Sequence, residues 1–136
     1  MKIMAVDLGA VRTGLAISDV TELLASPIGT ITQRNRERLL QEVAASAVQH
    51  GAQQIVVGLP KNMDGSKGES AQNAEAFAKE LEQLTGLSVI LWDERLTTMS
   101  AIGFLNETNV RGSKRKNIVD TVSATIILQD YLDSRR

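Results

Sequence analysis

The sequence has no cysteine, a single histidine, two prolines, and aromatic side chains at only 3% of its 136 positions. Without cysteine there is neither a disulfide framework nor a thiolate zinc site. His50 alone cannot build a histidine-based metal centre. Long apolar runs are also missing: none approaches the roughly 18 residues of a membrane span, so no membrane role is expected. The opening MKIMAVD puts an acid where a signal peptide would carry its apolar stretch. A reducing, cytoplasmic setting is the expectation. Charge of one sign is lacking as well, the formal net charge being -1. That excludes a uniformly basic surface coating nucleic acid, though not a local patch.

What is present is a globular composition, 43% hydrophobic and 23% charged. The length suits one domain over residues 1–136, large enough to bury a core. Lys2 to Val6 reads as a buried strand and Gly14 to Ser18 as a second, joined by a glycine-flanked turn in AVDLGAVRTGLA. Leu23 to Thr32 favours strand, with Pro27 pointing to a sheet edge. Apolar residues at helical spacing mark a helix from Arg36 to His50, stopped by Gly51. Gln54 to Leu59 reads as a strand closed by Pro60. Ser66 with Glu69 suggests a capping box opening a helix to Leu84, with Ala71, Ala74, Phe77, Ala78 and Leu81 inward. Leu87 to Trp92 reads as the last strand. Thr97 to Asn106 is expected as helix and Glu107 to Lys116 as a basic loop, with Gly112 and Ser113 making it mobile. A final helix runs from Ile118 to Leu132, with Val119, Val122, Ile126 and Leu128 inward. This order, βββ-α-β-α-β-α-α, implies an α/β fold with a mixed sheet covered on both faces.

Three carboxylates fall at corresponding places. Asp7 ends the first strand, Glu94 follows the last, and Asp120 lies in the expected first turn of the final helix. Each has a plain structural reading: strand termination, surface charge, and pairing with the helix dipole. Ligands, however, gather at the carboxyl ends of parallel strands in such sheets. Three acids without histidine or cysteine form an all-oxygen site suited to Mg²⁺ or Mn²⁺. Two such ions serve in-line displacement at phosphorus. Beside Asp120, RGSKRK at 111–116 holds four cations in six positions, a solvated loop or a phosphate contact through Lys114, Arg115 and Lys116.

The segments AVDLGAVRTGLAISD, IVVGLPKNMDGS, WDERLTT and NIVDTVSATIILQDYL together resemble the RuvX (YqgF) family, over essentially the whole chain. That family is described as Holliday junction resolvases and as nucleases maturing the small-subunit ribosomal RNA precursor. The resemblance implies a ribonuclease H-like fold: a five-stranded mixed sheet, first three strands antiparallel, flanked by helices. It implies Asp7, Glu94 and Asp120 as catalytic metal ligands for Mg²⁺ or Mn²⁺, with a pair of ions as the expectation. Gly9, Arg12 and Gly14 match the family's first hairpin. Gly58, Leu59, Pro60, Asn62, Asp64 and Gly65 match its GLP-x-N-x-DG loop, where Asn62 and Asp64 serve equally well as turn formers. Arg95, Thr97 and Thr98 continue the DER-x-TT segment and contact phosphate or support Glu94, while Asp93 alternates away. Ala10 and Val11 depart from the family, standing where many relatives carry a hydroxyl and a basic residue.

The function this implies is a metal-dependent endonuclease, processing the 5′ end of precursor 16S ribosomal RNA and acting as monomer or homodimer, with ribosomal particles as partners. Resolution of four-way DNA junctions is the alternative. A non-catalytic nucleic-acid-binding module is a further one, disfavoured because all three acids are present. D-x-G-x(4)-G also opens the phosphate loop of actin-like ATPases, but those need two such domains and the chain has the length of one.

Overall fold

The computed structural model describes residues 1–60, 68–93 and 112–135, with backbone alone for 112–121. In chain order these form β1 (Ile3–Asp7), β2 (Arg12–Ser18), β3 (Ala25–Thr32), α1 (Arg36–Gln49), β4 (Gln54–Leu59), α2 (Glu69–Thr85), β5 (Ser88–Asp93) and α3 (Gly112–Ser134). The expected helix over Thr97 to Asn106 lies outside the described residues.

The strands make one five-stranded sheet in the order β3-β2-β1-β4-β5. β1 is antiparallel to β2 and parallel to β4, and β4 is parallel to β5. The first three strands are the expected antiparallel meander. β3 is the exposed edge, where Pro27 has no N–H to contribute. Its register with β2 shifts between Leu15 and Ala16, next to Gly29 at φ 147°. That positive φ is open to glycine at little cost and fits a bulge.

β1 is buried on both faces, as a central strand must be. Met4 and Val6 pack with Leu39, Val43 and Ala47 of α1 and with Phe77 and Leu81 of α2. Ile3 and Ala5 pack on the other face beneath Ala124, Ile127, Leu128 and Tyr131 of α3. Phe77 is 1% exposed; truncating so buried a phenylalanine to alanine costs about 3–5 kcal/mol.

The inner face expected for α2 is the one observed. Its start differs. α2 begins at Glu69 with Gly68 as N-cap and no side-chain cap bond, and Ser66 of the expected capping box lies outside the described residues. Glycine is itself an acceptable cap.

α3 departs further from expectation. It starts at Gly112, so Lys114, Arg115 and Lys116 are helical rather than a loop. Lysine and arginine are good helix formers, and one Gly-Ser pair at the end does not prevent helix. Its buried stripe is Ala124, Ile127, Leu128, Tyr131 and Leu132, whereas Val122 and Ile126 are only half-buried. Leu128 is inward as expected, but Ala124, Ile127 and Tyr131 share the sheet-facing stripe in place of Val122 and Ile126.

Candidate active site

Asp7 is the last residue of β1, half-buried at the carboxyl edge of the sheet. Its partner across the β1–β2 ladder is Gly14. On the other side the register pairs Val6 with Val57, so the next residue level with Asp7 is Gly58, itself paired with Trp92. Directly opposed residues share a face and stand close enough to touch. With glycine at both flanking positions, neither directly opposed residue sets a side chain beside the carboxylate. The glycines of RTG and VGL are thus parts of one site, from strands on either side of β1.

Strand alternation gives the direction. Asp7 has the parity of Ile3 and Ala5, which lie under α3. Arg12 has the parity of Gly14 and Ala16, so it belongs to the same face, one strand over and diagonally beyond Asp7. Asp93 has the parity of Val89 and Leu91, which pack on the α1–α2 side. It therefore turns away from Asp7, as alternation led one to expect.

Position 120 lies in the third turn of α3, not the first. Eight residues from the start of the helix amount to about 12 Å, beyond the reach of the dipole, so that explanation of Asp120 falls. Counting back from Leu128, Ile127 and Ala124 along the sheet-facing stripe arrives at position 120. The far end of α3 is anchored at the amino edge of the sheet. There Tyr131 donates to Gln54 Oε1 at 3.2 Å, and Gln129 Oε1 accepts from the Ala25 N–H at 2.9 Å. From Tyr131 to position 120 is about 16 Å along a helix. From the level of Gln54 to that of Asp7 is about 13 Å along a strand. The two positions are therefore brought to similar heights over one face. Trp92, in the row of Asp7 and Gly58, meets Tyr131 edge to face at 5.6 Å between ring centroids.

Glu94, Arg95, Thr97 and Thr98, and likewise Asn62, Asp64 and Gly65, lie outside the described residues. Lys114, Arg115 and Lys116 occupy the first turns of α3, where no acid accompanies them. Among the described residues there is no group of three or more side chains able to hold a metal ion.

Two features of the site were not anticipated. Thr13 is fully buried, and its Oγ1 accepts from the Gly9 N–H at 3.5 Å. It supports the turn that follows Asp7. Gly9 is required there, because a Cβ would stand 2.1 Å from the carbonyl oxygen of Arg12. The second is RNRER at 34–38, three arginines in five positions, which brings Arg34 and Arg36 beside this turn. Its charge density was the available signal, diluted by the interleaved Glu37.

Known proteins resemble this chain in sequence and in fold. Residues 1–134 match the family model RuvX, described as Holliday junction resolvase. A protein of Clostridium beijerinckii named "Putative pre-16S rRNA nuclease" is 41% identical, covering 98% of this chain and 96% of its own. One of the same name from Bacillus cytotoxicus is 42% identical, covering 99% and 100%. Among solved structures, Thermus thermophilus RuvC in complex with Holliday junction substrate superposes with a TM-score of 0.64 at 13% identity, over 99% of this chain and 95% of that one. The Fowlpox virus resolvase with Holliday junction DNA gives 0.62 at 16% identity, over 99% of both chains. At such identities the likeness is one of fold, the ribonuclease H-like fold of resolvases. Matched over nearly its whole length by model and relatives alike, the chain belongs to the RuvX family.

Proposed function

We propose that the chain is a metal-dependent endonuclease that hydrolyses phosphodiesters in nucleic acid, with precursor 16S ribosomal RNA as its substrate. The observation that carries this is the position of Asp7 at the carboxyl end of β1, flanked by glycines of both neighbouring strands on the face that Arg12 and α3 share. Asp7, Glu94 and Asp120 would hold Mg²⁺ or Mn²⁺, as one ion or a pair. Glu94 and Asp120 join this set by the family resemblance of the segments WDERLTT and NIVDTVSATIILQDYL. Carboxylate oxygens fit such hard cations. The metal supplies Lewis acidity, which activates the attacking water and stabilises the leaving oxygen. Arg12 steadies the substrate phosphate, with Arg95 and Thr97 beside Glu94 and Asn62 at the rim.

Lys114, Arg115 and Lys116 extend this phosphate contact. Cations at a helix amino end oppose the macrodipole at a cost of about 0.3–1 kcal/mol each. A charge placement that works against its own helix is the kind expected where function requires it. RNA is favoured over DNA by the names of the relatives at 40% identity and above. Ribosomal particles as partners and a cytoplasmic site follow from that reading. Among the described residues no helix is long and apolar enough to cross a membrane. Junction resolution is the second reading, favoured by the family's description and by the likeness to junction-bound resolvases.

The test is cleavage of precursor ribosomal RNA, single strands of RNA and DNA, and a four-way DNA junction. Each is incubated with Mg²⁺, Mn²⁺ or chelator, using wild type and Asp7→Asn. Metal-dependent cutting of the precursor RNA, lost in Asp7→Asn, is expected. Cutting confined to the junction selects the second reading. Binding of every substrate without cutting of any defeats both and leaves a binding module.

A further inference from the structure

We infer that a cavity on the opposite face of the sheet from the Asp7 carboxylate is a second anion subsite, holding a backbone phosphate of single-stranded nucleic acid away from the scissile bond. It has a volume of about 170 Å³. Leu8, Gly9 and Ala10 form one wall, Gln33, Arg34 and Arg36 the next, and Asn73 of α2 another. Leu39 and Phe77, both buried, form an apolar floor. The inference rests on the nuclease reading for the kind of ligand, though not for the existence of the site.

The position follows from chain connectivity. Leu8 to Ala10 continue directly from Asp7, so even an extended chain keeps Ala10 within about 11 Å of it. Leu39 and Phe77 belong to the core on the α1–α2 side. The cavity therefore opens at the same sheet edge as Asp7 but across the lip formed by the β1–β2 turn. A strand held at Asp7 and continuing over that lip meets this cavity next. Its size decides the ligand: it is smaller than the roughly 300–1,000 Å³ of sites that enclose whole small molecules. A phosphate with part of its nucleotide fits; a complete cofactor does not.

The charge selects an anion. Among the described residues Arg34 is exposed and has no carboxylate partner. Arg36 pairs with Glu80 at 3.3 Å, but both side chains are nearly half-exposed, at 45% and 49%. An ion pair so solvated holds its arginine weakly and yields to a phosphate. Asn35 caps α1 by accepting from the Arg38 N–H at 3.0 Å, which fixes the two flanking arginines at the start of the helix. A guanidinium suits phosphate by its planar fork of donors, and Asn73 adds a neutral donor from the facing helix. Single strands are favoured, because a backbone must bend into the recess and expose a nucleotide to its apolar floor.

The experiment measures binding of a labelled single-stranded RNA in chelator, where cleavage is absent, over a range of salt. Arg34→Ala should weaken binding about five- to tenfold at low salt. It should also reduce the slope of log K against log salt by about 0.7, the loss of one phosphate contact to a single strand. Arg34→Lys should restore the slope. Asn73→Leu, on a different element, should also weaken binding by obstructing the cavity, and this guards against a local folding defect at Arg34. With metal present, Arg34→Ala should raise KM more than it lowers kcat, whereas Asp7→Asn should lower kcat. Unchanged affinity and slope in Arg34→Ala overturn the subsite while leaving the nuclease reading intact. If no substrate is cut but the slope still falls, the subsite stands and the nuclease reading fails.

Discussion

At the amino edge of the sheet, charged groups answer one another within the fold. Asp19, just after β2, accepts from the Leu23 and Leu24 N–H groups at 2.9 and 3.0 Å and from the Thr21 hydroxyl. Those bonds, the Leu24 N–H foremost, lower its pKa from 3.8 to about 2. Glu22, at φ 60°, binds Arg135 at 2.7 Å and the terminal amine of Met1 at 3.2 Å. At the carboxyl edge, Asp7 stands between glycines while Arg12, Arg34 and Arg36 gather around the turn that follows it. Both edges carry an aspartate at a strand end. One is held by its own loop, the other is flanked by glycines of two neighbouring strands. On the proposed reading, the first carboxylate shapes the fold and the second meets a ligand.

Exchanging each aspartate for asparagine tests that contrast directly. Asp7→Asn should lower the cleavage rate by about a thousandfold, on the scale of several kcal/mol of lost metal-assisted stabilisation, with a melting temperature close to wild type. Residual activity within tenfold of wild type would put Asp7 in the same class as Asp19. Gly9→Ala should damage both fold and activity. The clash with the Arg12 carbonyl must be relieved by moving the turn, at about 1–3 kcal/mol, and the substrate path moves with it. Chemical denaturation alongside cleavage rates would show whether the two losses occur together.

Asn35→Ala removes the α1 cap and should cost about 1 kcal/mol in denaturant unfolding. Asp19→Asn should have the smallest effect, confined to stability, with cleavage unchanged. Because folding lowers the Asp19 pKa, its contribution is complete above the unfolded value near 4 and fades as pH falls towards 2. Thermal unfolding of wild type and Asp19→Asn should therefore converge across that window. A difference persisting at pH 2 would mean that the loop is held by something other than the ionised carboxylate.

Much of this contrast was legible in the chain before folding. β4 and the inner face of α2 could be read to the residue, because alternation and helical spacing are strong over uninterrupted segments. Asp7 and its glycines stood out in one short motif. The start of α3 did not: a Gly-Ser pair among cations resembles a loop, and propensity alone does not say where a helix begins. Of its inward residues Leu128 was read correctly, but Ala124 and Tyr131 were not, because alanine and tyrosine carry little signal beside valine and isoleucine. RNRER was passed over because a charge run is ordinarily a solvated face.

By itself, then, the sequence determined the class of fold, the acids that carry the proposed chemistry, and the family. These depend on local pattern and on short motifs whose residue types have few other uses. Only the tertiary structure decided that Gly14 and Gly58 flank the same carboxylate, that Asp93 turns away from it, and that Arg34 and Asn73 face one cavity across the lip of the sheet. Strand order and register bring those residues together from segments far apart in the chain. No local preference encodes which strand lies beside which, because that choice is made by the whole core at once.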